Sequence, residues 1–271
     1  ILVSKEINVM IELSECTEIS KEFEKIAWNE FFVKRNRGIS LQYHYPFLYN
    51  KNKNYVNIII KISGVTVGGL ILQFKYIDNI VYGSIGLVCI KDEYRGLGLF
   101  NKLFIYTLAY AKKKYIHKLI LWTSKHSLYE KFGFRKKIQE YLYIEPTCSE
   151  MMSFEKYENR FTELSETNKP PFVKEFIRVQ SGNHIAYLFQ DANGISVYEY
   201  KGKVENVLDM IKAFLSKPLR ILLSKNDDLF QLILKEVTSA KLIEDDTEMW
   251  YTVDKKIVDV KTPHIAYIDR I

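Results

Sequence analysis

Residues 94–101 combine the residue types that a phosphate-binding turn requires. They read Tyr94-Arg95-Gly96-Leu97-Gly98-Leu99-Phe100-Asn101. Glycines let the backbone approach a bulky phosphate closely, and an arginine adds positive charge beside it. If a helix begins within this stretch, its first amides have no intrahelical partner and its dipole adds partial positive charge. The stretch therefore predicts an anion-binding turn.

Two regular elements must position this turn. The preceding run 84–90 is apolar and β-branched, which predicts a buried strand. The following run has apolar residues at helical spacing, and this face is formed by Phe100, Leu103, Phe104, Thr107, Leu108 and Ala111. Two glycines alone are often only a turn, but the order strand, turn, helix favours an anion site.

Two familiar phosphate loops are absent. A dinucleotide-binding loop needs a third glycine where this chain has Asn101, and an acidic residue about twenty positions further on. That region reads Tyr115-Ile116-His117-Lys118 and holds no carboxylate. The mononucleotide pattern G-x-x-x-x-G-K-[ST] does not occur either.

A second informative stretch follows at 118–134. Residues 118–123 predict a buried strand, and Ser127-Leu128-Tyr129-Glu130-Lys131-Phe132-Gly133-Phe134 predicts a short helix. Gly133 is a typical helix stop, after which we expect a strand over 135–144.

Together, the two stretches resemble the GNAT superfamily of N-acetyltransferases. Arg95 and Gly98 match its R-x-x-G-x-G/A signature, and the run around Tyr129 resembles its LYEKxGF element. Phe100 replaces the final Gly or Ala, so its side chain is expected to point away from the phosphate. The resemblance covers residues 55–145 well and the first 55 loosely. It implies an α/β (α+β) fold with a mixed central sheet flanked by helices.

The resemblance also implies a reaction, the direct attack of an amine on the thioester of acetyl-CoA. Backbone groups of the strand before the turn then hold the pantetheine arm and the thioester carbonyl, while the turn holds the pyrophosphate. No metal is implied. The residues that it assigns to the coenzyme are Val88, Cys89, Ile90, Arg95, Gly96, Leu97, Gly98, Leu99, Phe100, Asn101, Ser124 and Lys131.

Tyr129 matches the family tyrosine that lies near the sulfur and can protonate the departing thiolate. A phenol, with an ordinary pKa near 10, is a plausible donor. Tyr129 is also one of 19 tyrosines, so simple packing is the alternative interpretation.

No general base is evident. The strand that begins Gly83-Ser84 offers no carboxylate. His126 and His44 are the histidines nearest to plausible site positions, and each is equally consistent with a structural role. Cys89 falls beside the expected thioester, but a buried structural cysteine is the commoner situation.

Composition is that of a globular chain. The 271 residues, 47% of them hydrophobic, indicate two domains or one large one. No apolar run is long enough to span a membrane, and we expect the first residues not to be a signal peptide. Three scattered cysteines (Cys16, Cys89 and Cys148) predict neither a disulfide framework nor a zinc site, and we expect a cytoplasmic protein.

Positive charge is concentrated in the first part of the chain. Residues 1–150 hold 22 of the 39 Lys and Arg residues but 14 of the 33 Asp and Glu residues. This excess would help to capture the phosphates of coenzyme A. Clusters such as 112–114 and 135–137 could also contact nucleic acid, but no recognisable nucleic-acid motif accompanies them, and we expect no such partner.

We expect the chain to divide into two domains near residue 147. Residues 145–170 are rich in Pro, Ser and Thr, which predicts a junction between a coenzyme-binding domain at 1–147 and a second α/β domain at 148–271. The second part predicts a hairpin around Asn193-Gly194, then helix, strand, helix and strand. This order suggests a degenerate GNAT copy without the phosphate loop, which shapes the acceptor side but does not bind coenzyme A.

Three functions stay open at this point. The first is acetyl transfer to a primary amine of a small molecule, for which the aromatic segment 28–49 could border the acceptor or simply form core. The second is acetylation of a protein lysine or N-terminus. The third is a non-catalytic coenzyme-binding or interaction module. The amine, the acyl length and the oligomeric state are not fixed by the sequence.

Overall fold

The computed structural model describes residues 10–51, 53–146, 168–253, 263–265 and 270. It contains two compact units, and the division between them falls after Arg135. The described part of the first unit comprises residues 10–135 and 250–253, and that of the second comprises 136–249, 263–265 and 270. Most of the predicted junction, residues 147–167 with Cys148, lies outside the described residues, as does the chain start at 1–9.

The first unit begins with a strand and a helix and continues with a three-stranded meander. Its elements are β1 (Ile11–Cys16), α1 (Lys21–Phe31), α2 (Leu41–His44), β2 (Tyr55–Ile62), β3 (Val65–Ile77), β4 (Ile80–Ile90), α3 (Leu99–Lys113), β5 (Lys118–Trp122), α4 (Ser127–Glu130) and β6 (Arg135–Lys136). The predicted strand, helix, strand and short helix around the two motifs are confirmed.

A seven-stranded mixed sheet forms the centre of this unit. Its strand order is β1-β2-β3-β4-β5-β13-β6, where β13 (Glu248–Thr252) comes from the end of the described chain. The first four strands pair antiparallel, whereas β4 and β5 pair parallel. The long apolar runs of β2, β3 and β4 fit a sheet that is covered on both faces.

Helices α1 and α3 supply apolar stripes to the core of the first unit. The side chain of Ser20 caps α1 by accepting a hydrogen bond from the Phe23 amide, and α1 buries Phe23, Ile26 and Ala27. Helix α3 buries most of the face that its periodicity predicts, with Leu103, Phe104, Thr107 and Ala111 completely inaccessible. Burial of these stripes, more than helix propensity, stabilises both helices.

The second unit has its own six-stranded sheet in the order β12-β7-β11-β10-β9-β8. The Asn-Gly hairpin is confirmed, because β9 and β10 pair antiparallel across Asn193. Helices α5 and α6 cover a core of aliphatic side chains. The elements are β7 (Gln139–Ile144), β8 (Glu175–Ser181), β9 (His184–Asp191), β10 (Gly194–Lys201), α5 (Val204–Lys212), β11 (Leu219–Ile221), α6 (Asp228–Glu236) and β12 (Ala240–Asp245).

The single strand that we expected over 135–144 is wrong. The structure divides it into β6, in the seven-stranded sheet, and β7, which pairs with β11 and β12 in the second sheet. The closing strand β13 is correspondingly part of the first sheet. Each sheet thus incorporates a strand from a distant stretch of chain, and local periodicity carries no information about such pairings.

No helix of the described residues is long and apolar enough to cross a membrane. The described cysteines, Cys16 and Cys89, are both free thiols.

Candidate active site

The turn after β4 forms an open amide cradle. Gly96 and Gly98 adopt left-handed conformations, with φ of 80° and 71°, and Gly98 is the N-cap of α3. Among the described hydrogen bonds, none is donated by the backbone amides from Gly96 to Phe100. A side-chain carbon added at either glycine would meet no atom within 4 Å. Unpaired amides beside free space at a helix N-terminus fit a phosphate group.

The Phe100 ring points away from this cradle, as expected from its size. It stacks on Phe104 with ring centres 5.1 Å apart and meets Tyr129 and Phe132 edge-on. The ring therefore belongs to an aromatic cluster with Phe104, Tyr129 and Phe132, and its backbone amide donates no described hydrogen bond. The departure from the family pattern at this position leaves the amide array intact.

Arg95 is held by carboxylates. One guanidinium nitrogen lies 2.6 Å from Glu30 of α1, another pairs with Asp92, and Nε donates to the Ile90 carbonyl at 3.0 Å. Lys34 completes the network by pairing with both carboxylates. Because Glu30 and Asp92 together balance the charges of Arg95 and Lys34, the positive character of the cradle comes from its amides rather than from the guanidinium.

A cavity of about 590 Å³ borders the same network. Its wall includes Glu30, Lys34 and Asp92 together with residues of α1 and of the turn between β2 and β3. Four lysines and four carboxylates line it in all, so it offers no net positive charge to a polyanion.

Strands β4 and β5 separate immediately before the cradle. Their parallel pairing covers Tyr82 to Ser84 on β4 and Lys118 to Ile120 on β5, and residues 85–90 of β4 have no partner in β5. A bulge at Leu87, which has a φ of 51°, interrupts the pairing of β4 with β3. Bulges re-aim the backbone beside functional sites. The cleft edge contains Val88, Cys89 and Ile90, the residues that the sequence assigns to the pantetheine arm and thioester.

Tyr129 lies in α4, the short helix that follows β5. It is 9% exposed, and its ring meets those of Phe100, Phe104 and Phe134. Burial raises the pKa of its phenol to about 12, so the hydroxyl stays protonated at neutral pH. Tyr129 is thus a hydrogen-bond donor at every physiological pH.

The other predicted site residues are more peripheral. Lys131 donates to the side chain of Asn101 at 2.7 Å and lies over the Phe100 ring, which ties the end of α4 to the first turn of α3. Ser124 is in an exposed bend after β5. Leu97 is also exposed, whereas Leu99 is buried and anchors the helix start.

Of the three candidates for a base or nucleophile, His44 and Cys89 are buried in the core, and His126 lies at the start of a short helix. His44 is buried and stacked on Phe32, and its Nε2 accepts a hydrogen bond from the Ile39 amide at 2.9 Å. His126 is the N-cap of α4. Burial raises the pKa of the Cys89 thiol well above its usual range, which disfavours the nucleophilic thiolate.

Three residues of this region were not predicted from the sequence. Glu30 is 65 positions from the Arg95 that it binds. Gln73 and Ser84 lie opposite each other on β3 and β4, facing the α1 side. A polar residue on an inward strand position was the only local signal for the last two.

Known proteins resemble this chain both in sequence pattern and in fold. Residues 16–134 match the model of the acetyltransferase (GNAT) family. No curated protein sequence matches the chain. The fold is similar to that of a GCN5-related N-acetyltransferase from Kribbella flavida, with a TM-score of 0.60 at 12% identity over 92% of this chain and 72% of that one. A GCN5-related N-acetyltransferase from Anabaena variabilis gives 0.59 at 14% identity, over 90% and 73%.

Proposed function

We propose that residues 16–134, which match the model of the acetyltransferase (GNAT) family, form an acyl-CoA-dependent acyltransferase domain that transfers an acetyl group from acetyl-CoA to a primary amine of a small molecule. The observation that carries the proposal is the open amide cradle of Gly96 to Phe100 directly beyond a cleft between β4 and β5.

In this proposal the pyrophosphate of the coenzyme binds the amides of residues 96–100. The pantetheine arm follows the free edge of β4, where the backbone of Val88, Cys89 and Ile90 binds the arm and the thioester carbonyl. Donors held in place before the reaction stabilise the negative charge that develops on that oxygen. Ser124, Lys131 and Asn101 border the same coenzyme site.

Acetyl transfer is then a direct displacement. The neutral amine nitrogen bonds to the thioester carbon, the C–S bond breaks with its electron pair leaving on sulfur, and one N–H proton is released while the sulfur gains one. Tyr129 donates a hydrogen bond to the departing sulfur. Since its pKa of about 12 makes it a weaker acid than an ordinary phenol, its contribution is this hydrogen bond rather than an easy full proton transfer.

The second unit binds no coenzyme in this proposal. The turn before α5 contains one glycine, Gly202, and a side-chain carbon there would lie 2.3 Å from Nδ1 of His184. That nitrogen also accepts a hydrogen bond from the Lys203 amide at 3.1 Å. His184 therefore fills the space beside Gly202 and binds the Lys203 amide, which supports a single coenzyme site, the one in the first unit.

A thiol-release assay tests the proposal. Acetyl-CoA is offered with glucosamine, lysine, spermidine, phenethylamine and a lysine-containing peptide. We expect thiol release with at least one small amine and none after Gly98→Val, because a branched side chain in the left-handed conformation strains the cradle and fills it. Gly182→Val is the matched control, since Gly182 also has a positive φ and open space around it. Release with the peptide alone would favour protein acetylation, and acetyl-CoA binding without release from any amine would favour a non-catalytic module.

A further inference from the structure

Three side chains form a row across the first sheet beside the cleft. Tyr55 of β2 is paired with Gln73 of β3, and Gln73 is paired with Ser84 of β4. Directly paired residues of antiparallel strands point to the same face. Further along these strands, Ile71 and Cys89 on that face belong to the core formed with α1. Gln73 and Ser84 therefore face the α1 side of the sheet.

Two polar atoms of this row lack a partner within the described chain. Gln73 Oε1 and Ser84 Oγ are buried from solvent and make no hydrogen bond. Ser84 as a whole is inaccessible. Buried polar groups in native proteins usually have a partner. Unlike the isolated Ser196 hydroxyl of the second unit, these two unpaired oxygens lie on directly paired strands beside the cleft, where a ligand can supply the partner.

The position of the row relates it to the reaction. Ser84 is the last β4 residue that pairs with β5, so it marks the closed end of the cleft. At the other end of the row, the ring of Phe47 packs edge-on against Tyr55 with centres 5.8 Å apart. The row thus combines polar acceptors at the cleft with an aromatic wall beside them.

We propose that Gln73 Oε1 and Ser84 Oγ bind the acceptor amine, an inference that rests on the proposed function. A neutral primary amine has two N–H donors and one lone pair. With its two N–H groups donated to these oxygens, the lone pair is left for the thioester carbon. The bond to carbon forms as the C–S bond breaks, and one of the held protons leaves nitrogen as sulfur gains one.

This arrangement selects for the class of acceptor. An alcohol has a single O–H donor and leaves one of the two oxygens unpaired, whereas a primary amine satisfies both. Sites built to pair a substrate N–H strongly reject analogues that lack it. Gln73 and Ser84 are accordingly specificity-determining residues for primary amines.

The experiment compares Gln73→Met and Ser84→Ala with Ser196→Ala. Ser196 is the matched control because its hydroxyl is equally buried and unpaired and lies on β10, in the unit without a cradle. For whichever of glucosamine, spermidine and phenethylamine releases most thiol, we expect the two site variants to raise the acceptor KM about tenfold or more. The acetyl-CoA KM should stay within about twofold, and Ser196→Ala should change neither value.

A melting temperature gives a second, independent result. Because neither group has a partner in the free protein, both site variants should melt at or above the wild-type temperature. A lower melting temperature, or an unchanged acceptor KM, overturns the proposal. Wild-type protein that binds acetyl-CoA but releases no thiol with these amines also overturns it, while leaving the coenzyme site standing. Absence of acetyl-CoA binding overturns the proposed function itself.

Discussion

Helix α3 follows strand β4 in the first unit, and helix α5 follows strand β10 in the second, but the N-termini of the two helices differ. Helix α3 in the first unit begins at Gly98, beside unpaired amides and open space. Helix α5 in the second unit begins after Gly202, where His184 fills the space and takes the Lys203 amide. The same order of strand, turn and helix therefore leaves an open turn with unpaired amides in one unit and a closed turn in the other.

The open turn before α3 and the closed turn before α5 have most features in common. Both helix termini carry the partial positive charge of the dipole, and both turns contain a glycine with positive φ. What differs is the number of amides left unpaired and the space in front of them. Anion binding at a helix N-terminus therefore depends on the number of unpaired amides and on the space before them, more than on the order of the elements.

The largest predicted effect tests the first helix terminus. Gly98→Val should weaken acetyl-CoA binding about 100-fold or more, because it fills the cradle and strains the turn. Isothermal titration measures this loss, with Gly182→Val as the control that should bind normally. Equal binding by both variants would mean that the turn at Arg95 does not hold the coenzyme.

The next effect concerns turnover within the same unit. Tyr129→Phe should lower kcat about 10- to 100-fold, because the departing sulfur loses its hydrogen-bond donor. The acetyl-CoA Kd should change little. Since the pKa of this phenol is about 12, the wild-type rate should show no decline due to Tyr129 between pH 6 and pH 10. Unchanged kcat in the variant, or a wild-type decline that the variant removes, would contradict this role.

A third variant changes the turn before α5 in the second unit, where we expect an effect on stability and none on coenzyme binding. Gly202→Val should destabilise the protein by about 1–3 kcal/mol, because its side chain would overlap His184. Acetyl-CoA binding should be unaffected at temperatures where the protein is folded. Denaturant unfolding and titration together check the pair of expectations. Weakened coenzyme binding in the folded variant would place a coenzyme site in the second unit.

The smallest effect concerns the carboxylate that binds Arg95. Glu30→Gln should raise the acetyl-CoA Kd about two- to fivefold, because the turn loses one of the ion pairs that hold its first residue. Added salt should reduce the difference from wild type. Glu22→Gln, also on α1 but paired with Ser20 rather than Arg95, is the control and should bind normally. A Kd equal to that of the wild type at low salt would show that the network does not prepare the turn.

Much of the fold could be predicted because its signals are local. The Asn-Gly hairpin, the stripe of α3 and the glycine stop after Tyr129 each depend on a few neighbouring residues. The assignment of β7 and β13 to their sheets depends on distant pairings, and the sequence offered no warning that 135–144 would divide between two sheets.

In the candidate site, too, the features that depend on neighbouring residues could be predicted, and those that depend on distant residues could not. The cradle was predictable because glycine spacing and a helix start are adjacent in sequence. The neutralisation of Arg95 was not, since Glu30 lies far away along the chain. The row of Gln73 and Ser84 depends on the register of strand pairing, which only the folded sheet specifies.

The stoichiometry of acetyl-CoA binding, measured by isothermal titration of the wild-type protein, tests most directly whether only the N-terminus of α3 holds a coenzyme. About one coenzyme should bind per chain, because α3 has an open N-terminus and α5 has a closed one. Two coenzymes per chain would contradict the difference between the units. No binding would show that the cradle before α3 is only a turn.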